Sequence, residues 1–403
     1  MKLLHTSDWH LGRTLYSKKE RQEEHQAFLE WLLKTIHDEN IDLLLIAGDV
    51  FDTASPSSSS QKIYYDFLVQ VRNSGCKQVI VVGGNHDSPS FLNAPKEILS
   101  ALNVTVIGNV GVQIDDEIVV VKDAQNEPAF IVCAVPFLRE RDISRFAEGE
   151  TYADRSKRIN ENIKKHYEEI ATLAEKKKES IGRDIPIIAT GHLSVTGGKR
   201  DADDGVRETY IGNIETIRSD IFPETFDYVA LGHYHIACKI KEHIRYCGSP
   251  IPMGFGEAKQ KKVVYIIDFE DQMNIETKEI PVFQKLESIV GDKDYISKRI
   301  AELKETGDYV WIEIIYQGND VFPDFASWAY ELTADSNIEI LKLQNRLFLT
   351  EGLTLEDSSA SLNELDIFKV FDTLLEKNSI SEVSQEELKA SYQEIISSLH
   401  ITE

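Results

Sequence analysis

Five short apolar runs in the first 235 residues of this chain each end directly in a cluster of side chains that can bind metal ions. The runs are nearly continuous in Val, Ile, Leu and Ala, as in strands that are buried on both faces of a sheet. The clusters that follow them are Asp8-Trp9-His10, Gly48-Asp49-Val50-Phe51-Asp52, Gly83-Gly84-Asn85-His86-Asp87, Gly191-His192 and Gly232-His233-Tyr234-His235. Because α/β folds place their active sites at rigid strand ends, this pattern predicts both a fold class and the location of a site.

Helical patterns lie between several of these runs, chiefly over residues 24–36 and 63–71. Further apolar runs at residues 130–135 and 263–267 continue the series of strands. Strands that alternate with helices are typical of an α/β domain. We therefore predict one α/β domain over residues 1–285 that carries the polar clusters at its strand ends.

The composition changes after residue 285. The pattern of residues 288–345 predicts two helices, Tyr295–Glu305 and Phe325–Leu332, each followed by a strand, Tyr309–Tyr316 and Ile338–Leu343 respectively. A polar stretch then precedes two helical patterns with capping boxes that begin at Ser361 and Ser384. The sequence therefore predicts a small α+β domain over residues 286–345, and a linker with C-terminal helices over residues 346–403.

Each of the two C-terminal helices has one apolar face. The faces consist of Leu365, Phe368, Phe371 and Leu375 in the first helix, and of Leu388, Tyr392, Ile395 and Leu399 in the second. Such a face either packs on the chain's own domains or lies against the helices of a partner protein. Because the helices follow a linker and come after both domains are complete, we favour the partner and keep packing within the chain as the alternative.

Seven side chains in the clusters are candidate metal ligands: Asp8, His10, Asp49, Asn85, His192, His233 and His235. Carboxylate, amide oxygen and imidazole suit manganese, iron or zinc better than calcium, and the lack of thiolate argues against a structural zinc site. On an extended segment, residues two apart such as Asp8 and His10 project to the same side. A glycine before several of the ligands lets the backbone approach an ion closely. Seven ligands are too many for one ion, so we predict two ions that share one carboxylate and clamp a phosphate between them.

Taken singly the clusters are weak signals, because Asn, Asp and Gly are ordinary turn residues. In order, however, Asp-x-His, Gly-Asp-x-x-Asp, Gly-Asn-His-Asp, Gly-His and Gly-His-x-His resemble the calcineurin-like metallophosphoesterases. The resemblance implies an α/β fold with a four-layer β-sandwich flanked by helices, a small α+β capping domain and C-terminal helices. It implies one manganese ion on Asp8, His10, Asp49 and His235, and a second on Asp49, Asn85, His192 and His233. It also implies that His86 contacts the scissile phosphate and assists the leaving oxygen, with Asp87 orienting it.

A narrower resemblance, to the nuclease subunits of bacterial DNA-repair complexes in this family, rests on residues 5–12, 47–53 and 246–252. It implies a manganese-dependent DNA nuclease that acts as a double-strand exonuclease and as a single-strand or hairpin endonuclease. It further implies a homodimer within a heterotetramer whose other subunit is a coiled-coil ATPase. This chain has no G-x-x-x-x-G-K-[ST] motif, so any dependence on ATP must come from that partner. The chemistry expected is attack by hydroxide on the phosphodiester, since two cations lower the pKa of a shared water.

The formal net charge is −24, and −15 of it lies after residue 285. A chain this acidic is not a simple nucleic-acid-binding module, so attraction to DNA must come from bound metals, a local patch or a basic partner. No apolar stretch approaches the roughly 20 residues that span a membrane, and no signal-peptide pattern is found. The four cysteines, Cys76, Cys133, Cys238 and Cys247, lack CxxC pairing and are expected to be free thiols in a cytoplasmic protein.

Metal ligands identify the reaction better than the substrate, so other functions stay open. One alternative is a phosphomonoesterase or a cyclic-nucleotide phosphodiesterase on the same dimetal site. Another is a scaffold without activity, which is disfavoured because none of the expected ligand positions is substituted. Activity on DNA, compared with activity on a small phosphomonoester, separates these alternatives.

Overall fold

The computed structural model describes residues 1–144, 150–196, 217–270, 272–318, 322, 324–345, 388, 389 and 392. The strands in these residues are β1 Lys2–Thr6, β2 Thr14–Leu15, β3 Lys19–Glu20, β4 Leu43–Ala47, β5 Gln78–Val82, β6 Val104–Ile107, β7 Ile118–Lys122, β8 Pro128–Cys133, β9 Ile187–His192, β10 Val195–Thr196, β11 Ile217–Arg218, β12 Tyr228–Gly232, β13 Cys238–Lys241, β14 Ile244–Tyr246, β15 Val263–Asp268, β16 Asn274–Glu279, β17 Lys285–Gly291, β18 Val310–Tyr316 and β19 Ile338–Asn345. The α-helices are α1 Gln22–Asp38, α2 Ser58–Val71, α3 Pro89–Asn93, α4 Lys96–Ser100, α5 Glu140–Ile143, α6 Tyr152–Ile181, α7 Lys293–Thr306 and α8 Phe325–Thr333.

Two six-stranded sheets form the centre of the first 280 residues. The first has the order β16-β15-β1-β4-β5-β6, and the second has the order β13-β14-β12-β9-β8-β7. Strands β1, β4, β5 and β6 are mutually parallel in the first sheet, as are β8, β9, β12 and β14 in the second. One apolar cluster lies between the sheets, and two others lie under the helices on their outer faces. The predicted α/β fold with four layers is confirmed.

Strand β4 shows why the central strands of the two sheets have unbroken apolar sequences. Its five residues are all buried. Leu43 and Leu45 belong to the cluster between the sheets, whereas Leu44 and Ile46 belong to the cluster under α1 and α2. Successive side chains of a strand point to opposite faces, so a strand with helices on one side and a sheet on the other must be apolar at every position. Burial of each such side chain contributes about 1.5–3 kcal/mol.

Helix α6 covers the second sheet and is not among the helices predicted from the sequence. It begins after Thr151, whose hydroxyl oxygen accepts a hydrogen bond from Asp154 N over 3.2 Å, and ends at Gly182 with a left-handed φ of 71°. Its buried face comprises Ile159, Ile163, Tyr167, Ile170 and Ala174. The intervening positions are rich in Lys and Glu, and this high charge obscures the helical spacing of the apolar residues in the sequence.

The described residues between 285 and 345 form a three-stranded parallel sheet in the order β17-β18-β19, with α7 and α8 packed on it. The two predicted helices and two predicted strands of this region are present, with ends shifted by a few residues. Strand β17 is not among the predicted strands, because only Leu286 and Ile289 of its seven residues are buried. The division of the chain into three units stays a prediction. The predicted C-terminal helices lie outside the described residues, apart from positions 388, 389 and 392.

The part of the chain that the structure describes contains no helix that is both long and apolar enough to cross a membrane. The four cysteines are free thiols, as predicted, and Cys133 and Cys247 are buried.

Candidate metal centre

The five polar clusters follow the carboxyl ends of parallel strands in both sheets. Strands β1, β4 and β5 are neighbours in the first sheet, and β9 and β12 are neighbours in the second. His192 is the last residue of β9 rather than a loop residue, and His233 directly follows β12. The seven predicted ligands meet at this common end of the two sheets. Asp8, His10, Asp49 and His192 are buried, whereas Asn85, His233 and His235 are half-buried and lie toward solvent.

The backbone at four of the seven ligands has a positive φ rather than an extended conformation. Asp8, His10 and Asp49 have φ values of 53°, 48° and 49°, and His233 has a φ of 98°. The expectation that Asp8 and His10 share one side of an extended segment is therefore wrong, although their side chains do converge. Each such non-glycine residue costs on the order of 1–3 kcal/mol and persists only where its surroundings hold it. Here the Asp8 and His10 amides donate to the carbonyls of Gly48 and Asp49, each over 3.0 Å.

Asp8, His10 and His235 form the first group of donors, with one ligand atom of each within 4.8 Å of the others. The Asp8 carboxylate accepts hydrogen bonds from Ser7 Oγ over 2.5 Å and from His233 N over 2.9 Å. His10 Nε2 lies 3.1 Å from His235 Nε2. The distance from His10 Nε2 to Asp49 Oδ2 is 3.6 Å, so Asp49 lies next to this group.

Asp49, Asn85, His192 and His233 form the second group. His192 Nε2 lies 3.1 Å from Asp49 Oδ2 and 3.0 Å from Asn85 Oδ1. His233 Nδ1 lies 3.1 Å from the same Asn85 oxygen. Because Asp49 Oδ2 is close to an imidazole of each group, it is the carboxylate that lies between them.

Three of the imidazoles have their Nδ1 atoms turned to oxygen atoms away from the centre. His10 Nδ1 lies 3.2 Å from Asp52 Oδ1, His192 Nδ1 donates to the carbonyl of Ala47 over 3.0 Å, and His235 Nδ1 lies 3.6 Å from Glu257 Oε1. Such partners fix the tautomer of histidines that bind metal ions through the other nitrogen. This role of Asp52 and Glu257 is not predicted from the sequence. Asp52 is visible in the Gly-Asp-x-x-Asp motif, whereas no local pattern marks Glu257.

The donor set fits cations. If the carboxylates of Asp52 and Glu257 hold protons on the two Nδ1 atoms, the Nε2 lone pairs of His10 and His235 face one another at 3.1 Å, which is unfavourable unless a positive charge lies between or beside them. Burial lowers the pKa of His192, but the carboxylates of Asp49 and Asp8 outweigh it and raise this pKa to about 9. Burial and the nearby His192 lower the pKa of His233 to about 3. The carboxylates thus draw positive charge into a buried site, as expected of a place that binds divalent ions.

His86 and Asp87 lie beside the two groups. His86 Nδ1 donates to the main-chain carbonyl of Asp52 over 2.9 Å, which leaves Nε2 as the nitrogen that is available to a substrate. The Asp87 carboxylate accepts hydrogen bonds from the amides of Val50, Phe51 and Gly84 over 2.9–3.1 Å. Burial and the Asp49 carboxylate raise the pKa of Asp87 to about 6. In this structure Asp87 therefore ties two loops together, and the group that orients the His86 imidazole is the Asp52 carbonyl.

Two glycines permit the close approach of the loops, as expected. Gly48 has a φ of 89°, and a Cβ there would lie 2.3 Å from His192 Nδ1. A Cβ at Gly84 would lie 2.1 Å from Asp49 Oδ1 and 2.3 Å from Asp49 N. Any side chain at Gly84 would displace the Asp49 carboxylate, which lies between the two donor groups.

The fold and the donor set define this chain as a metal-dependent phosphoesterase. The sequence profile of the calcineurin-like phosphoesterase family matches residues 1–237, and a profile described as the type 5 capsule protein repressor C-terminal domain matches residues 282–379. The SbcD subunit of the SbcCD nuclease of Escherichia coli K12 is 34% identical over 395 residues, which cover 96% of each chain. The chain belongs to the calcineurin-like phosphoesterase family and, within it, to the SbcD subunits.

Other relatives agree with this placement. The SbcD protein of Rhodobacter capsulatus is 33% identical over 277 residues, and that of Bacillus subtilis is 30% identical over 271 residues; each match covers 66% of both chains. Among solved structures, a dimetal phosphatase from Danio rerio is 12% identical and covers 70% of this chain and 96% of its own, with a TM-score of 0.40. This likeness does not add to the family assignment.

Proposed function

We propose that the chain is a manganese-dependent DNA nuclease that works with a coiled-coil ATPase of the SbcC type. The observation that carries this proposal is the placement of Asp49 between two converging groups of oxygen and nitrogen donors. In the proposed assignment, one ion is held by Asp8, His10, Asp49 and His235, and the other by Asp49, Asn85, His192 and His233. Carboxylate, amide and imidazole ligands without thiolate are compatible with manganese.

When bound, the two ions would offset charge on the phosphate and activate water near neutral pH. The chain's own residues provide the rest. Asp52 and Glu257 set the directions of His10 and His235, and the Asp87 carboxylate joins the loops that carry Asp49 and His86. His86 is half-buried and its Nδ1–H donates to a carbonyl, so in the imidazolium form it can direct Nε2–H at a phosphate oxygen, transfer that proton to the leaving oxygen and remain as neutral imidazole.

The choice of DNA as the substrate rests on the SbcD relatives, whose names describe nuclease subunits of an SbcCD complex. We infer double-strand exonuclease and single-strand or hairpin endonuclease activity, and a homodimer within a heterotetramer with the ATPase. The chain's net charge of −24 makes basic surface on that partner a reasonable source of additional attraction for DNA.

Cleavage by the purified chain tests this proposal. With Mn²⁺ it should cut single-stranded and hairpin DNA, and the ATPase with ATP should increase cutting of duplex ends. A chelator should abolish both activities. Greater activity on p-nitrophenyl phosphate or a cyclic nucleotide than on DNA would instead support the phosphomonoesterase or cyclic-nucleotide phosphodiesterase alternative.

Removal of residues 353–403 is expected to separate chemistry from partner binding. The truncated chain should stay folded, bind two Mn²⁺ ions and cut single-stranded DNA at the parental rate, because all seven proposed ligands lie before residue 236. It should no longer co-purify with the SbcC-type ATPase or show cutting of duplex ends that ATP stimulates. Co-purification and both cleavage rates are the measurements.

A full-length variant provides the matched control. Phe368→Asp with Phe371→Asp changes the predicted apolar face, whereas Lys369→Ala with Asp372→Ala changes the polar face of the same helix. Only the first pair should weaken binding of the ATPase. Undiminished binding after truncation, or precipitation of the truncated chain, would show that these segments pack on the chain itself.

A further inference from the structure

The loop between β14 and β15 carries an ion pair, Glu257 with the buried Lys262, that contacts His235 from two sides. Glu257 Oε2 accepts a hydrogen bond from Lys262 Nζ over 2.6 Å, and the Lys262 side chain is only 6% exposed. Lys262 Nζ also donates to the main-chain carbonyl of His235 over 2.8 Å. The other Glu257 oxygen, Oε1, lies 3.6 Å from His235 Nδ1. One ion pair thus contacts both the backbone and the imidazole of this residue.

The Glu257 carboxylate is itself held in place. Its Oε2 atom accepts hydrogen bonds from Met253 N over 3.0 Å and from Ser249 Oγ over 3.5 Å. Ser249 N donates to the same His235 carbonyl that Lys262 contacts, over 3.1 Å. Neither the carboxylate nor the ammonium can therefore move without disturbing the main chain at His235.

The loop is also fixed on its far side. Phe255, two residues before Glu257, is 3% exposed and packs with Leu286, Trp311 and Leu341 of the three-stranded sheet. The Tyr16 ring stacks on Phe255 with ring centroids 5.5 Å apart and planes 13° apart. The segment that carries Glu257 is thus anchored between the β-sandwich and the small sheet through Phe255.

The separation of 3.6 Å between Glu257 Oε1 and His235 Nδ1 exceeds a hydrogen bond, but contacts of this kind commonly shorten when the ligands of an active site bind. Asp52 stands in the same relation to His10, at 3.2 Å from its Nδ1. His10 and His235 belong to one donor group and have their Nε2 atoms 3.1 Å apart. A rotation of the His235 ring would break up this group.

We propose that Glu257 is a positioning residue which, with Lys262, holds the His235 imidazole with Nε2 toward the metal centre and so sets the affinity for one of the two ions. This inference rests on the proposed role of His235 as a ligand. Removal of a hydrogen-bond partner from a histidine ligand typically weakens metal affinity by about 10- to 100-fold. Glu257→Gln is therefore expected to weaken one Mn²⁺ site by about that factor and to leave the other unchanged.

The test is titration of the full-length protein with Mn²⁺, in which electron paramagnetic resonance measures the bound ion. Cleavage rates are measured over the same range of Mn²⁺ concentrations. Glu257→Gln should need more Mn²⁺ for half-maximal activity and recover its kcat when the ion is saturating. Glu279→Gln, which breaks the neighbouring exposed pair with Lys261, is the control and should behave as the parent. Parental affinity at both sites in Glu257→Gln would overturn the proposal.

A second variant separates positioning from stability, because Glu257→Gln leaves the buried Lys262 ammonium without its counter-charge. Glu257→Gln with Lys262→Met removes both charges, and should recover thermal stability of the metal-free protein while one Mn²⁺ site stays weak. Recovery of parental Mn²⁺ affinity in this double variant would show a structural role only and overturn the proposal. His235→Ala should lose one ion. If His235→Ala keeps both ions, the assignment of His235 as a ligand is wrong. If His235→Ala loses one ion but Glu257→Gln binds Mn²⁺ like the parent, only the positioning role of Glu257 is refuted.

Discussion

Asp49→Ala is expected to lower manganese-dependent DNA cleavage by more than about 1,000-fold, beyond the usual cost of removing one electrostatic stabiliser from an active site. Asp49 is 2% exposed, and its Oδ2 lies 3.1 Å from His192 Nε2 and 3.6 Å from His10 Nε2. Its Oδ1 accepts a hydrogen bond from His86 N over 2.9 Å. Loss of this carboxylate removes the shared ligand of both proposed ions and a support of the loop that carries His86.

Metal content by mass spectrometry, circular dichroism and the cleavage rate should be measured on the same preparation. Asp49→Asn keeps the volume and one oxygen but removes the charge, and should also bind the ions poorly. Asp66→Ala, which removes an exposed aspartate paired with Lys62 on α2, is the control and should keep both ions and the parental rate. A folded Asp49→Ala protein with substantial activity would refute the two-ion assignment.

The sequence predicts the buried strands of the two sheets well because the signal is local. A strand buried on both faces requires an unbroken apolar run, as in Leu43–Ala47, and such runs are visible without knowledge of tertiary structure. The meeting of the five polar clusters follows from a general rule, that parallel strands bring their carboxyl ends to one edge. Those two features bring all seven proposed ligands into one region of the predicted fold.

Features that depend on contacts between distant segments were not predictable. The left-handed backbone of His10 depends on a hydrogen bond to Asp49, which is 39 residues away in the sequence. Glu257 follows His235 by 22 residues and belongs to no motif, so only the folded chain shows that it faces the imidazole. Strand β17 escapes prediction because its burial pattern, with Leu286 and Ile289 three residues apart, lacks the alternation that marks a half-buried strand.

The roles of neighbouring residues are harder to assign than the ligands. The family resemblance implies that Asp87 orients the neighbouring His86. In the structure its carboxylate instead accepts three main-chain hydrogen bonds, and the imidazole is held by the Asp52 carbonyl. Adjacent residues in a loop commonly point in different directions, so adjacency in sequence is a poor guide to contact between side chains.

His86→Ala is expected to slow DNA cleavage by roughly 100-fold or more while both Mn²⁺ ions stay bound, because loss of a general acid typically costs about 10²- to 10⁴-fold. The reason is geometric. His86 Nδ1 is committed to the Asp52 carbonyl, and the imidazole ring lies 4.9 Å from that of His10 at the edge of the centre. His37→Ala, at an exposed histidine near the end of α1, is the matched control and should have the parental rate.

A substrate whose leaving group needs no proton distinguishes proton donation by His86 from metal binding by His86. Cleavage of bis-p-nitrophenyl phosphate releases a phenolate that needs no proton, so His86→Ala should lose much less activity on it than on DNA. The arrangement of atoms permits the competing assignment, since ligand atoms of His10, Asp49 and His86 lie within 4.8 Å of one another. If His86 were a ligand, its removal would release one metal equivalent and slow both substrates alike. Metal content and the ratio of the two rates therefore decide between a proton donor and an eighth ligand.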